Sequence, residues 1–427
     1  MEPVNTPEQK PSVIREYLQN IRAFKPNARF YLISVILTGA TMGAFRLLFN
    51  FYVLSLGEGF DEALLGNLIT ANNMTALIVA IPMGFLIDRI GRKNSLLVRT
   101  VMMSVSVGVM ALWPSRPVFY LMNVIFGIAM SISSVVTGPF MMENSDENER
   151  AYLFSFSSGL RMAAQSVGNW VGGYLPMWMG EYQHVGSESS MAYAGALLAI
   201  GIVSSIGLLP IFFIRRNRVA ETRDGIFAPI AFARDNPRMI GKLFTPLLIV
   251  SIGAGLFVPF MNVFFRVQHN QSDAVVGSLM AWGSLAMGVG LIIAPPLADR
   301  LGKLKLVVIT QALSIPFMIM LGFSPYFWMS ALAYYVRMAL MNMSSPIYQN
   351  FVLEQVKPTE RATVASLHSM VWSFGRSFSP SISGYLQVNF GFGPPFLVAI
   401  GLYSIAIFLY WLFFLRWGKS EKPLAPV

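Results

Sequence analysis

Four arginines stand where the surrounding sequence is apolar. Arg46 sits in GAFRLLFN and Arg337 in AYYVRMAL, while Arg161 and Arg376 interrupt two further long apolar segments. A guanidinium stays charged and presents a planar fork of N–H donors, which matches the paired oxygens of a carboxylate or phosphate. Placing a charge at the centre of a membrane helix costs about 2.5–3.5 kcal/mol, and such residues face a cavity or a partner. No Asp or Glu lies deep in any of these segments. Basic groups without acidic ones predict an electropositive cavity and an anionic ligand.

Each residue also has a structural reading. Arg46 can satisfy helix-end carbonyls or hydrogen-bond to Asn50, Asn72 or Asn73, and the other arginines can snorkel or tie helices together. The substrate-binding candidates are Arg46, Arg337 and Arg161, with Asn50, Asn73 and Tyr334 as neutral polar groups and Arg376 ranked behind them. His368 is the one histidine inside a segment, so it is the candidate for proton coupling, with helix packing as its other reading. His184 and His269 are scattered, and the chain has no cysteine. Disulfides and thiolate chemistry are excluded. The sequence shows no phosphate-binding glycine loop, acyl-transfer triad or cluster of metal ligands. It predicts no enzyme, no cofactor and no metal.

The elements that must hold these residues are membrane helices. Of 427 residues, 55% are hydrophobic and 12% charged, with a mean hydropathy of +0.57. A soluble domain carries about twice that charge fraction. Apolar runs approach the ~20 residues that cross ~30 Å of hydrocarbon. Twelve spans are expected, near 30–54, 64–87, 94–113, 117–139, 151–176 and 191–213, then 242–266, 274–297, 303–322, 325–346, 361–386 and 393–415. The longest connection lies mid-chain. This divides the chain into a segment 1–29, a six-helix half 30–214, a linker 215–241, a second half 242–416 and a tail 417–427. A short amphipathic helix is expected near Phe227–Ala233. The N-terminal segment is polar and basic and lacks the pattern of a cleaved signal peptide.

The net charge of +10 reflects topology, not nucleic-acid binding. One set of loops holds Arg22, Arg89, Arg92, Lys93, Arg150, Arg215, Arg216, Arg218, Arg223, Arg300, Lys303, Lys419 and Lys422. The opposite set holds Glu58, Asp61, Arg116, Glu181, Glu188 and Asp273 with almost no lysine. The positive-inside rule places both termini in the cytoplasm of a plasma-membrane protein, which requires an even number of spans.

The halves repeat each other. Asp88, Arg89 and Gly91 match Asp299, Arg300 and Gly302 at a shift of 211 residues; Glu149–Arg150 matches Glu360–Arg361, and Gly173–Tyr174–Leu175 matches Gly384–Tyr385–Leu386, at the same shift. Gly84-x-x-x-Asp88-Arg89-x-Gly91-Arg92-Lys93 resembles the loop signature between the second and third helices of the major facilitator superfamily. The resemblance implies an all-α polytopic protein of twelve helices in two six-helix repeats. It also implies transport by alternating access, with Asp88, Arg89, Gly91, Arg92, Glu149, Arg150, Asp299 and Arg300 serving as a conformational latch.

Arg46 in the first span resembles the superfamily's organic-phosphate exchangers. The fourth span, with Asn123, Gly127 and Ser131, lacks the membrane arginine of its drug/proton antiporters. The resulting expectation is secondary or facilitative transport of a small organic anion. The alternatives are efflux of amphipathic drugs or lipids, with or without proton coupling, and a non-transporting membrane sensor. The expected partners are the lipid bilayer and an anionic small molecule, with no nucleic acid, and the expected state is a monomer.

Overall fold

The computed structural model describes residues 24–215 and 228–416. The remaining parts of the expected N-terminal segment, linker and tail, with Arg22, Arg216, Arg218, Arg223, Lys419 and Lys422, lie outside the described residues. Twelve long helical spans run through the described chain. In the first half they are α1 (Pro26–Ser55), α2 (Glu62–Ile90), α3 (Arg92–Leu112), α4 (Arg116–Glu143), α5 (Glu147–Gln183) and α6 (Ser190–Phe212). In the second half they are α7 (Pro237–Gln268), α8 (Asp273–Leu301), α9 (Lys303–Phe323), α10 (Phe327–Glu354), α11 (Arg361–Phe390) and α12 (Gly393–Arg416). A short helix, Ala228–Asp235, leads into α7.

The expected span centres hold, but several helices run past the expected ends, α5 most of all. Backbone hydrogen bonding does not stop at the hydrocarbon boundary. Among the described residues, nine spans are long and apolar enough to cross a membrane by composition alone. The other three, α5, α10 and α11, contain Arg161, Arg337 and Arg376. The chain is a multi-pass integral membrane protein.

Local chemistry sets the helix ends. Asp61 caps α2 by accepting from the Leu64 amide at 2.8 Å, and Ser189 caps α6 by accepting from the Ala192 amide at 3.2 Å. Gly91 ends α2 at φ +86°, and Gly302 ends α8 at φ +85°. A side chain would be strained at either position. The repeat therefore preserves a backbone conformation as well as a motif.

The face bearing both described chain ends is called here the terminal face; the opposite one is the far face. The helix pairs joining the halves are α2 with α11, α5 with α8, and α1 with the outer end of α7. Two of these seams are copies of each other. Gly66 of α2 lies against the Pro380 carbonyl, and Gly384 of α11 against the Glu62 carbonyl. At the positions 211 residues on, Gly277 of α8 lies against the Asn169 carbonyl, and Gly173 of α5 against the Asp273 carbonyl. Glycine allows backbones to approach where a Cβ would collide, which is how membrane helices gain dispersion contact without a hydrophobic driving force.

Candidate functional site

The contacts between halves cluster toward the far face. α7 breaks into a tight turn at Val258–Phe260 around Pro259. Asn50 of α1 donates from Nδ2 to the Pro259 carbonyl at 2.8 Å and to Asn262 Oδ1 at 2.9 Å. Asn262 returns a bond to the Leu47 carbonyl at 2.8 Å. Asn50 is thus buried in a clamp between the halves. Two further bonds join the halves nearer mid-span: Ser166 donates to the Ala281 carbonyl at 2.9 Å, and Thr70 Oγ1 accepts from the Ser381 amide at 3.1 Å.

A charged cluster closes the far face. Arg266 at the end of α7 lies 3.3 Å from Asp273 and 3.2 Å from Glu188, and donates to the Tyr193 hydroxyl at 2.6 Å. Tyr193 in turn donates to Asp273 Oδ2 at 2.5 Å. The Arg266 guanidinium also lies 4.7 Å from the centre of the Phe51 ring. Phe51, Glu188 and Tyr193 belong to the first half, whereas Arg266 and Asp273 belong to the second. His269, in the adjoining loop, packs on Phe264, Phe265 and Phe327. Burial lowers its pKa below the ordinary histidine value.

Deeper than this closure, toward the terminal face, lies Arg46. Protein surrounds it on every side, yet its side chain is exposed, so it borders an internal space. Arg376 of α11, half-buried, approaches closely enough for the two charges to interact. Asn73 donates to the Arg376 carbonyl at 3.3 Å, and the Trp372 ring lies 5.7 Å from its guanidinium carbon. Among the described residues no carboxylate pairs with Arg46 or Arg376.

Arg337 has a different setting. It is 3% exposed and sits between the Phe257 ring at 4.9 Å and the Tyr403 ring at 4.7 Å, donating to Ser314 Oγ at 3.1 Å. A desolvated cation–π contact contributes about 2 kcal/mol. Two of them offset the roughly 2.5–3.5 kcal/mol cost of the buried charge without any anion. The structure packs Arg337 inside the second half, between these two rings. Tyr334 is also packed, its ring over Gly283 and its hydroxyl 3.4 Å from Met280 Sδ. Arg161 is exposed and has no ion-pair partner among the described residues. His368, 8% exposed, packs its ring 6.3 Å from that of Phe244.

Of the expected latch residues, Arg92 and Asp88 join elements within the first half. Arg92 donates to Asp88 at 2.5 Å and to Glu143 at 3.1 Å, tying the α2–α3 turn to the end of α4. Lys303 pairs with Glu354 at the positions 211 residues on. Glu143 and Glu354 were missed in the sequence because they belong to no motif; the shared shift was the signal that could have found them. Arg89, Asp299 and Arg300 are exposed, while Glu149 Oε2 and Arg150 Nε are buried without a hydrogen-bond partner.

The family model of the major facilitator superfamily matches residues 30–272 and 243–426. The chain belongs to the major facilitator superfamily. Among similar members, the multidrug resistance protein MdtG of Dickeya zeae (strain Ech586) is 22% identical over 94% of this chain and 97% of its own length. MdtG of Salmonella paratyphi C (strain RKS4594) is 23% identical, covering 89% of this chain and 93% of its own. Superfamily structures share the fold. A bacterial homolog of the human lysosomal transporter Spinster, in an inward-facing and unoccupied conformation, aligns with a TM-score of 0.77 at 14% identity, over 94% of this chain and all of that one. A mutant of the nucleoside transporter NupG aligns with a TM-score of 0.76 at 14% identity, over 91% of this chain and all of that one. Membership makes this chain a secondary carrier of small molecules that works by alternating access.

Proposed function

We propose that this carrier exports amphipathic small molecules across the plasma membrane and prefers those bearing an anionic group. The observation that carries the charge preference is the Arg46–Arg376 pair: two guanidiniums from opposite halves, beside one internal space, without a carboxylate partner. An anion held between them would contact both halves at once. Its binding would draw the halves together around it, which links occupancy to rocking. The amphipathic body of the substrate is suggested by the likeness to MdtG, named for multidrug resistance, over most of the chain. The cytoplasmic assignment of the terminal face rests on its basic loops, including Arg89, Lys93, Arg215 and Arg300.

In this reading the space beside Arg46 faces the cytoplasm, from which an exporter loads. A substrate there exchanges water for apolar wall and guanidinium. The halves then part at Asn50–Asn262 and at the Arg266 cluster to release it outside. The latch set, Asn73 and His368 take supporting places in this reading. Arg92 with Asp88 and Glu143 stiffens the first half, Asn73 positions Arg376, and His368 is a packing residue.

Exchange of small organic anions is the second reading, favoured by the same unpaired arginines. Proteoliposomes separate the two. Fluorescein, ethidium and a set of small phosphorylated and carboxylated compounds would be assayed with and without a pH gradient or counter-substrate. The export reading expects fluorescein flux, reduced roughly tenfold or more in Arg46→Gln by loss of a charge-assisted contact. Flux confined to the small anions with counter-substrate would establish exchange instead. Saturable flux of none of them would leave a membrane sensor.

A further inference from the structure

A second pair of arginines lies in the first half, nearer the terminal face. Arg99 of α3 is 7% exposed. Its Nη1 donates to Ser133 Oγ of α4 at 3.0 Å, and its Nε is buried with no partner. Arg161 of α5 has its backbone carbonyl against Gly39 of α1. Side chains lean toward the N-terminus of their helix. Arg161 therefore reaches toward the terminal face and toward Tyr31, which lies about 12 Å from Gly39 along α1. Arg99 lies within charge range of both Arg161 and Tyr31. Tyr31 is held in place by its bond to Thr137 Oγ1 at 3.2 Å. Among the described residues no carboxylate pairs with either arginine.

Two like charges, Arg99 buried with an orphaned donor and Arg161 exposed beside it, have no carboxylate counterion among the described residues. The repeat shows that the fold does not require them. A shift of 211 residues takes Arg99 to Thr310, Arg161 to Trp372 and Ser133 to Ser344. The second half builds the same helices with neutral groups, so the arginine pair is an addition particular to the first half.

We propose that Arg99 and Arg161 form a second anion-binding subsite, built wholly within the first six-helix half, that takes a carboxylate, sulfonate or phosphate group. The bound oxygens would accept from Arg99 Nε and from the Arg161 fork, with the Ser133 hydroxyl steadying Arg99. This site is unlike the Arg46–Arg376 pair in one respect. It does not divide when the halves rock, so it can stay occupied through the cycle. Placed between the terminal face and Arg46, it can stage an anion before that anion reaches the central pair. The binding claim stands apart from the export reading; only the staging role rests on it.

The test is thermal unfolding of the purified full-length chain in detergent, titrated with inorganic phosphate against chloride at matched ionic strength. The expected result is a phosphate-specific rise in midpoint that persists in Arg46→Gln/Arg376→Gln. The rise that persists in that double variant should disappear when Arg161→Gln is added to it and return in part with Arg161→Lys. Arg161 is exposed, so its variant keeps the measurement interpretable where Arg99→Gln fails to fold. A phosphate response unchanged by adding Arg161→Gln to the double variant overturns the proposal. So does a response lost only in the central double variant, since the anion would then belong to that pair.

Fluorescein flux distinguishes the sources of the anion. A roughly tenfold higher KM in Arg161→Gln at unchanged kcat identifies the transported anion as the ligand. An unchanged KM together with a lost phosphate response identifies a resident inorganic anion. Failure of all anion flux would defeat the export reading without touching the unfolding result.

Discussion

Arg46 and Arg337 put the same side chain into the same apolar phase and differ in what surrounds it. Arg337 has an aromatic ring on each side, whereas Arg46 has a space. Arg337→Met should therefore leave fluorescein flux within about threefold of wild type, because a flexible apolar chain can occupy the slot between the rings. Arg376→Gln should raise the flux KM roughly tenfold, as expected for the loss of a charge-assisted hydrogen bond. Initial-rate measurements on both variants check the assignment; equal damage from the two would undo it. The sequence disclosed that arginines interrupt apolar helices. It could not disclose which of them share a space, because facing is set by helix rotation and by partners far along the chain. Arg99 escaped the sequence reading because it follows Arg92 and Lys93 closely and sits near the start of its span, where basic residues are ordinary topology markers.

At the scale of elements, the far-face cluster and the paired glycine seams decide which way the carrier opens. Removing one partner of a buried ion pair leaves the other uncompensated. Arg266→Gln should therefore weaken far-face closure. The natural chain contains no cysteine, so a single Ala281→Cys reporter is free of background. This buried position beside Ser166 should react at least about tenfold faster with an impermeant maleimide applied from the far face once Arg266 is replaced. A rate no faster than in the reporter alone would show that the cluster does not hold the closure.

The seams make a second demand. A Cβ on Gly277 would come 2.6 Å from the Asn169 carbonyl, and its twin on Gly66 would collide with that of Pro380. Gly277→Ala and Gly66→Ala should each cut transport by roughly tenfold with normal membrane insertion, and by similar factors, because the two seams are copies. His269 adds a pH dependence. Its folded pKa is depressed by burial, so the unfolded chain takes up the proton first as pH falls below the ordinary value of 6.5. Stability should decline through that window and decline less steeply in His269→Phe, as read by unfolding midpoints from pH 7.5 to about pH 5.

Over the whole molecule, the twelve spans and the duplication were legible because hydrocarbon thickness and a fixed shift each leave a one-dimensional trace. Of the contacts between halves, only the repeated Gly173 and Gly384 left such a trace. These contacts are made by Asn50 with Asn262, by Tyr193 with Asp273 and by glycine against carbonyl, and each joins residues remote in sequence. Within the expected latch motif, the ion pairs among the described residues lie inside each half. Arg92 with Glu143 and Lys303 with Glu354 bind the turn after the second helix of each half to the end of its fourth. Two stiffened halves meeting along narrow glycine seams are suited to rocking as bodies.

The seams also carry a history. Since α2 meets α11 as α8 meets α5, one half contains both surfaces of its own interface: the Gly66 face of α2 and the Asn169–Gly173 face of α5. Two copies of such a half, related by a two-fold axis, would bury those surfaces against each other twice over, as a self-complementary pair does. The single chain thus preserves the geometry of a symmetric dimer. Within one chain the two copies need not be identical: the second half carries Thr310 and Trp372 where the first carries Arg99 and Arg161.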